Sequence, residues 1–161
     1  MLEKIAKILI DNNLTVSTTE SCTGGLLSSA FTDVSGSSAF VHLNFVTYSN
    51  EAKQKILGVR SETLEKYGAV SEQTSLEMAR GLYVVTGADI CISTTGIAGP
   101  TGGTPEKPVG LMYSTIYAGK KNFYKTFKIN LSPNIKRIDM KKQFVEEVLE
   151  RTYSVLTEII P

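Results

Sequence analysis

Metal ligands and histidine bases are scarce in this chain of 161 residues, which has one histidine, His42, and two cysteines, Cys22 and Cys91. Two cysteines far apart make no disulfide scaffold and lack zinc-ligand spacing. A single histidine excludes a His-rich metal site, so no metal and no cofactor is expected. Charge of one sign is lacking too: Lys+Arg 17 against Asp+Glu 16 leaves a formal +1. No basic surplus calls for nucleic acid, and no acidic tail is visible. Long apolar runs are absent, with nothing near the roughly 18 residues of a membrane span. Glu3, Lys4 and Lys7 fall within an amphipathic opening that is unlike a signal peptide. A soluble chain in a reducing, cytoplasmic setting is expected, with neither nucleic acid nor membrane as partner. What is present is ordinary: 42% hydrophobic and 20% charged residues, enough for one domain over residues 1–161. A chain of this size buries roughly 70% of its unfolded surface.

Leu2, Ile5, Ala6, Leu9 and Ile10 form one apolar stripe of an opening helix ended near Asn12-Asn13. Leu14 to Thr19 reads as a strand. Gly24-Gly25 follow as a turn, and Leu26 to Val34 as a helix. Phe40 to Tyr48 is the next strand. Asn50 is expected to cap a short helix through Ile56, stopped by Gly58. Ser61 is expected to cap a second through Lys66, and Ser71 a longer one stopped by Gly87. Ile90 to Thr95 is apolar enough for a buried strand. Pro100, Pro105 and Pro108, among five glycines from Gly96 to Gly110, force a long ordered loop. Leu111 to Ala118 and Asn122 to Asn130 flank Gly119-Lys120-Lys121 as a hairpin. Ser132-Pro133 opens the last helix, with proline at its first position. This order predicts an α/β fold: a three-layer α/β/α sandwich around a mixed β-sheet.

Gly24-Gly25 sits between a strand and a helix, where free N–H groups favour an anion; a plain tight turn is the competing reading. Thr23 and Ser21 add hydroxyls at that place. The Walker pattern is absent, and Gly96, Gly99 and Gly102 are spaced three apart rather than as G-x-G-x-x-G. Ser21 is not in G-x-S-x-G, since Thr19 and Thr23 hold the glycine positions. Ser21 and Cys22 are both potential nucleophiles; Cys22 also reads as a small buried hydrophobe. His42, in Val41-His42-Leu43, is an unpromising base. A serine activated by a lysine remains. Lys53 is the candidate if burial or neighbouring cations lower its pKa from about 10.4; otherwise it is a solvated helix lysine. Tyr48 and Asn50 lie close to it in sequence. Arg137, beside Lys136, Lys141 and Lys142, reads as a solvated basic face or as a guanidinium for a ligand phosphate.

Five segments in order resemble the C-terminal domain of the CinA family. They are Thr19-Glu20-Ser21-Cys22-Thr23-Gly24-Gly25, Val46-Thr47-Tyr48-Ser49-Asn50-Glu51-Ala52-Lys53, Gly68-Ala69-Val70-Ser71, Gly96-Ile97-Ala98-Gly99-Pro100-Thr101-Gly102-Gly103, and Glu106-Lys107-Pro108-Val109-Gly110. The resemblance runs from about Leu2 to the last helix. The length is expected to leave no room for the N-terminal molybdopterin-binding-like domain of full-length CinA proteins. The resemblance implies hydrolysis of nicotinamide mononucleotide to nicotinate mononucleotide and ammonia, in pyridine nucleotide recycling. It implies Ser21 as nucleophile, Lys53 as general base, and Tyr48 as the partner that orients or relays. Amides around Thr23 and Gly24 would stabilise the oxyanion. Cys22, Gly25 and Asn50 would lie at the substrate. So would Thr95, Gly96, Ile97, Ala98, Gly99, Pro100, Thr101 and Gly102, with Arg137 on the phosphate. A homo-oligomer, a dimer first, is expected. The chain departs from the family where Asn134-Ile135-Lys136-Arg137 replaces a common Gly-Asp-Arg. Lys141 stands for an arginine and so keeps the charge without bidentate geometry. Thr95 stands for a serine. Two other readings stay open: a non-catalytic nucleotide or phosphosugar sensor, and a competence- or damage-associated interaction protein on the same fold.

Overall fold

A computed structural model describes residues 1–161. The elements in chain order are α1 (Leu2–Asp11), β1 (Val16–Glu20), α2 (Leu26–Thr32), β2 (Phe45–Val46), α3 (Asn50–Leu57), α4 (Ser61–Tyr67), α5 (Glu72–Thr86), β3 (Ile90–Gly96), β4 (Leu111–Ala118), β5 (Phe123–Asn130) and α6 (Arg137–Ile159). They build the expected α/β sandwich on one five-stranded sheet of order β2-β1-β3-β4-β5. β1 runs parallel to β2 and β3, while β4 and β5 are antiparallel to their neighbours, so the sheet is mixed.

The alternation of β3 assigns the two helical layers. Ile90 and Ile92 join the larger core with Ile5 and Leu9 of α1, Leu27 and Phe31 of α2, and Phe144 and Val148 of α6. Cys91, on the opposite face, joins Leu57, Leu64, Met78 and Leu82 of α3, α4 and α5. The α5 side is also bound through hydroxyls. Ser93 Oγ donates to the Ser75 carbonyl at 2.7 Å, and Ser75 Oγ lies 2.8 Å from Thr115 Oγ1. These three buried hydroxyls thereby replace the water they lose on burial. No helix is long and apolar enough to cross a membrane.

Three local expectations are corrected. The second strand shrinks from Phe40–Tyr48 to Phe45–Val46, because side chains replace backbone partners along β1: Asn44 Oδ1 accepts from Thr18 N–H at 3.0 Å, and Ser17 Oγ from Leu43 N–H at 3.2 Å. The last helix opens at Arg137 rather than Pro133, since Ser132 to Ile135 close a turn first, with Ile135 N–H on the Ser132 carbonyl at 3.3 Å. Caps move one residue earlier: Ser49, not Asn50, accepts from Ala52 N–H at 3.0 Å, and Arg60, not Ser61, precedes α4. Ser71 caps α5 as expected, accepting from Thr74 N–H.

Candidate active site

The parallel strands β1 and β3 end side by side, and each hands the chain to a loop at its carboxyl end. Open α/β sheets form their ligand crevices at that place. After β1 comes Ser21, and after β3 comes the Gly96–Gly110 segment. Between them opens a cavity of about 590 Å³ lined by Ser21, Cys22, Tyr48, Gly96, Ile97, Ala98, Gly99, Pro100, Thr101, Gly102 and Arg137. A volume of that order suits a nucleotide-sized ligand. The Gly99–Pro100 peptide in its wall is cis. The N–H groups of Ala98, Gly99, Thr101 and Gly102 donate to nothing else in the chain, so the loop presents open donors.

Lys53 stands behind Ser21. It lies on α3, only 1% exposed, yet Nζ is 3.1 Å from Ser21 Oγ. The carbonyls of Thr47 and Tyr48 accept from the same nitrogen at 3.0 and 2.9 Å. Burial pushes the Lys53 pKa down to about 8, because an ammonium loses its hydration there. The neutral amine has two N–H groups and one lone pair. The two carbonyls can take both N–H groups, which leaves the lone pair 3.1 Å from Ser21 Oγ, where the hydroxyl proton reaches it by turning off the Tyr48 carbonyl. The helix dictates this reach: Ser49 caps α3 and starts it directly beside the end of β2, and the Lys53 side chain then points back toward β1.

Cys22 shares the cavity wall but differs in charge state. Burial raises its thiol pKa to about 12, so it is a neutral thiol at pH 7 and a poor nucleophile. Tyr48 contributes through its backbone: its carbonyl accepts from Lys53 and, at 3.3 Å, from Ser21 Oγ. Its phenol turns away from that pair and accepts from Arg137 Nη2 at 3.3 Å. Arg137 Nη1 donates to the Gly99 carbonyl at 2.7 Å, so the guanidinium spans the cavity mouth.

Besides Lys53, which stands behind Ser21, five expected site residues do not line the cavity. Thr23 is fully buried, with its hydroxyl between Glu20 Oε1 and Thr94 Oγ1. Gly24 and Gly25 shape the turn, at φ +60° and +105°, where a side chain would be strained. Gly24 N–H donates to the Ser21 carbonyl at 3.1 Å, which removes it from the oxyanion candidates; the amides of Cys22 and Thr23 stay free. Thr95 Oγ1 donates to the Ala69 carbonyl at 2.7 Å, which ties the Gly68–Ser71 segment to β3. Asn50 is an exposed first-turn residue of α3.

The family model for the CinA C-terminal domain matches residues 1–156. The chain belongs to the CinA C-terminal domain family. A CinA-like protein of Chlorobium limicola is 44% identical over 162 residues, covering 98% of this chain and 37% of that protein. The chain spans about a third of the length of the curated relatives it matches. The crystal structure of competence/damage inducible protein CihA from Agrobacterium tumefaciens is 41% identical, with TM-score 0.90 over 97% of this chain and 94% of that one. Competence damage-inducible protein A (ComA) from Klebsiella pneumoniae subsp. pneumoniae is 32% identical, with TM-score 0.91 over 97% and 94%.

This CinA domain contains a support that the motif reading overlooked. Glu20, fully buried, accepts from Leu27 N–H at 2.8 Å, Ser28 N–H at 3.0 Å and Thr23 Oγ1 at 2.5 Å. These amides belong to the first turn of α2, whose donors have no helical partner. The carboxylate therefore anchors the turn that carries Ser21. Thr94 completes the brace: its hydroxyl meets Thr23 Oγ1 at 2.9 Å, and its carbonyl accepts from Ser21 N–H at 3.1 Å. A carboxylate immediately before the serine and just ahead of a helix start is the signal that could have identified Glu20. The CinA domain holds no cluster of three His, Cys, Asp or Glu side chains able to bind a metal.

Proposed function

We propose that this CinA domain hydrolyses the carboxamide of nicotinamide mononucleotide, giving nicotinate mononucleotide and ammonia through a Ser21–Lys53 pair. One observation carries the reading: a dehydrated lysine amine 3.1 Å from a serine hydroxyl at the wall of a nucleotide-sized cavity. Neutral Lys53 takes the Ser21 proton as Oγ attacks the carboxamide carbon. The amides of Cys22 and Thr23, which have no partner in the chain, would donate to the oxyanion that forms. The C–N bond then breaks, and Lys53 passes its proton to the departing ammonia. An acyl ester on Ser21 remains. Water attacks that ester while Lys53 accepts the water's proton, and the proton returns to Ser21 Oγ as nicotinate mononucleotide leaves. The open amides of the Gly96–Gly102 loop and the Arg137 guanidinium suit the substrate phosphate.

The test is ammonia release from nicotinamide mononucleotide by the wild type, Ser21→Ala and Lys53→Ala. Both variants are expected to lose about 10³-fold or more in kcat, since such residues act as a unit. Turnover near wild type in either variant refutes the pair. A wild type that is thermally stabilised by the nucleotide but releases no ammonia assigns the cavity to sensing instead.

A further inference from the structure

Two of the five family segments take no part in the proposed chemistry: Gly68-Ala69-Val70-Ser71 and Glu106-Lys107-Pro108-Val109-Gly110. Folding brings them together. Lys107 Nζ donates to the Tyr67 carbonyl in the last turn of α4. The closing carbonyls of a helix have no helical partner, and a cation is favoured there. Gly68 leaves room for the ammonium. A Cβ there would lie 2.9 Å from Lys107 Nζ, and its φ of +80° and ψ of 170° are almost confined to glycine. The post that receives Lys107 is fixed in turn. The Gly68 carbonyl accepts from Ser71 Oγ at 2.9 Å and Thr74 Oγ1 at 2.7 Å at the start of α5, and the Ala69 carbonyl accepts from Thr95 on β3.

The loop to which Lys107 belongs is lightly held. Gly110 N–H on the Ile97 carbonyl, at 2.9 Å, closes its base. From Ala98 to Lys107, two hydrogen bonds reach the rest of the molecule: Arg137 on the Gly99 carbonyl and Lys107 on Tyr67. Thr104 and Lys107 close a turn on each other, Thr104 N–H on the Lys107 carbonyl at 2.8 Å and Lys107 N–H on Thr104 Oγ1 at 3.0 Å. The returning limb then lies against the outgoing one. A Cβ on Gly103 would meet Val109 N at 2.8 Å, and one on Gly99 would strike Val109 Cγ1. Gly99 and Gly103 bracket Thr101 and Gly102, which line the cavity with free N–H groups. We propose that Lys107 is a positioning residue, a latch from the substrate loop to the end of α4 that presets the amides receiving the substrate phosphate. The identity of the ligand rests on the hydrolase reading; the latch rests on the contacts alone. A loop freed of that tie spends less time in the binding arrangement, and affinity falls by the same fraction. Lys107 lies outside the cavity wall, so its loss should appear in KM and not in kcat.

Two variants test the latch. Lys107→Met keeps the stem and removes the donor, and Lys107→Arg restores a donor. Backbone amide order parameters of Gly99, Thr101, Gly102 and Gly103 are measured by NMR relaxation without ligand. They should stay near about 0.85 in the wild type and the arginine variant and fall below about 0.6 in Lys107→Met. In the ammonia assay Lys107→Met should raise KM for nicotinamide mononucleotide about tenfold, as when the competent arrangement falls to about a tenth, with kcat within about twofold. Its melting temperature should match the wild type, and Lys107→Arg should return KM to near the wild-type value. Unchanged order parameters or an unchanged KM in Lys107→Met overturns the proposal. So does a fall in kcat as large as the rise in KM, or an arginine variant no better than the methionine one. A wild type that releases no ammonia refutes the hydrolysis instead, and the ligand-free order parameters then decide the latch.

Discussion

In the proposed hydrolysis, Lys53 is the residue on which the chemistry turns. A lysine with a pKa of about 8 is neutral in roughly a tenth of molecules at pH 7, against well under a hundredth for an unperturbed one. The kcat/KM for ammonia release is therefore expected to rise with pH through a limb near 8, which a pH–rate profile measures. The same shift enters stability with a defined sign. The folded pKa lies below the unfolded one, so between about pH 8 and 10.5 the unfolded chain binds more protons, and stability rises with pH through that window. A shift of that size corresponds to about 3 kcal/mol. Lys53→Met should abolish this rise relative to wild type in denaturant titrations at pH 7 and 10, along with activity. Glu20 is the second residue of consequence. Glu20→Gln puts an amide N–H against helix N–H donors and should cost about 1–3 kcal/mol, with kcat falling more than KM rises as the serine turn loosens.

At the scale of the element, placement of the base depends on how α3 meets α5. A Cβ on Gly81 would lie 1.9 Å from the Leu57 carbonyl oxygen, so the two helices touch backbone to backbone there. Gly81→Ala should cost about 2–3 kcal/mol, as overpacking does, read as a lowered denaturation midpoint. It should also lower kcat at temperatures where the variant stays folded, because the end of α3 moves with Lys53 on it. The elements were largely legible: Ser71 and Gly87 bracket α5, and Ile90 to Gly96 is a buried strand. The misplaced second strand and the α3 cap share one physical source. Asn44, Ser17 and Ser49 satisfy backbone groups with side chains, and a pattern of β-branched and apolar residues cannot reveal which partner a backbone N–H takes.

The cavity mouth belongs to the whole molecule. Arg137 of α6 reaches Tyr48 after β2 and Gly99 after β3, joining three segments that only the assembled sheet brings together. On the proposed reading, in which this guanidinium takes the substrate phosphate, Arg137→Ala should raise KM for nicotinamide mononucleotide about tenfold or more, the loss of one charged hydrogen bond, with kcat nearly kept. Nicotinamide riboside, which lacks the phosphate, should show no such rise in a parallel ammonia assay. Equal losses on both substrates would take Arg137 off the phosphate and leave it as a brace for Tyr48 and the Gly99 loop.

Local order was enough to dictate the helices, the strands, the serine on its glycine turn and the proline-bound loop, because propensity, capping and apolar period act over a few residues. Elimination could name Lys53 as the candidate base for Ser21, but the roles of the pair came only with the resemblance. Its physical cause lies in the folded sheet: β2 lands beside β1, the start of α3 follows it, and packing removes the water that would keep the amine charged. Tyr48 shows the same division. Its type and position were plain in the chain, but folding gave its carbonyl to the lysine and its phenol to Arg137.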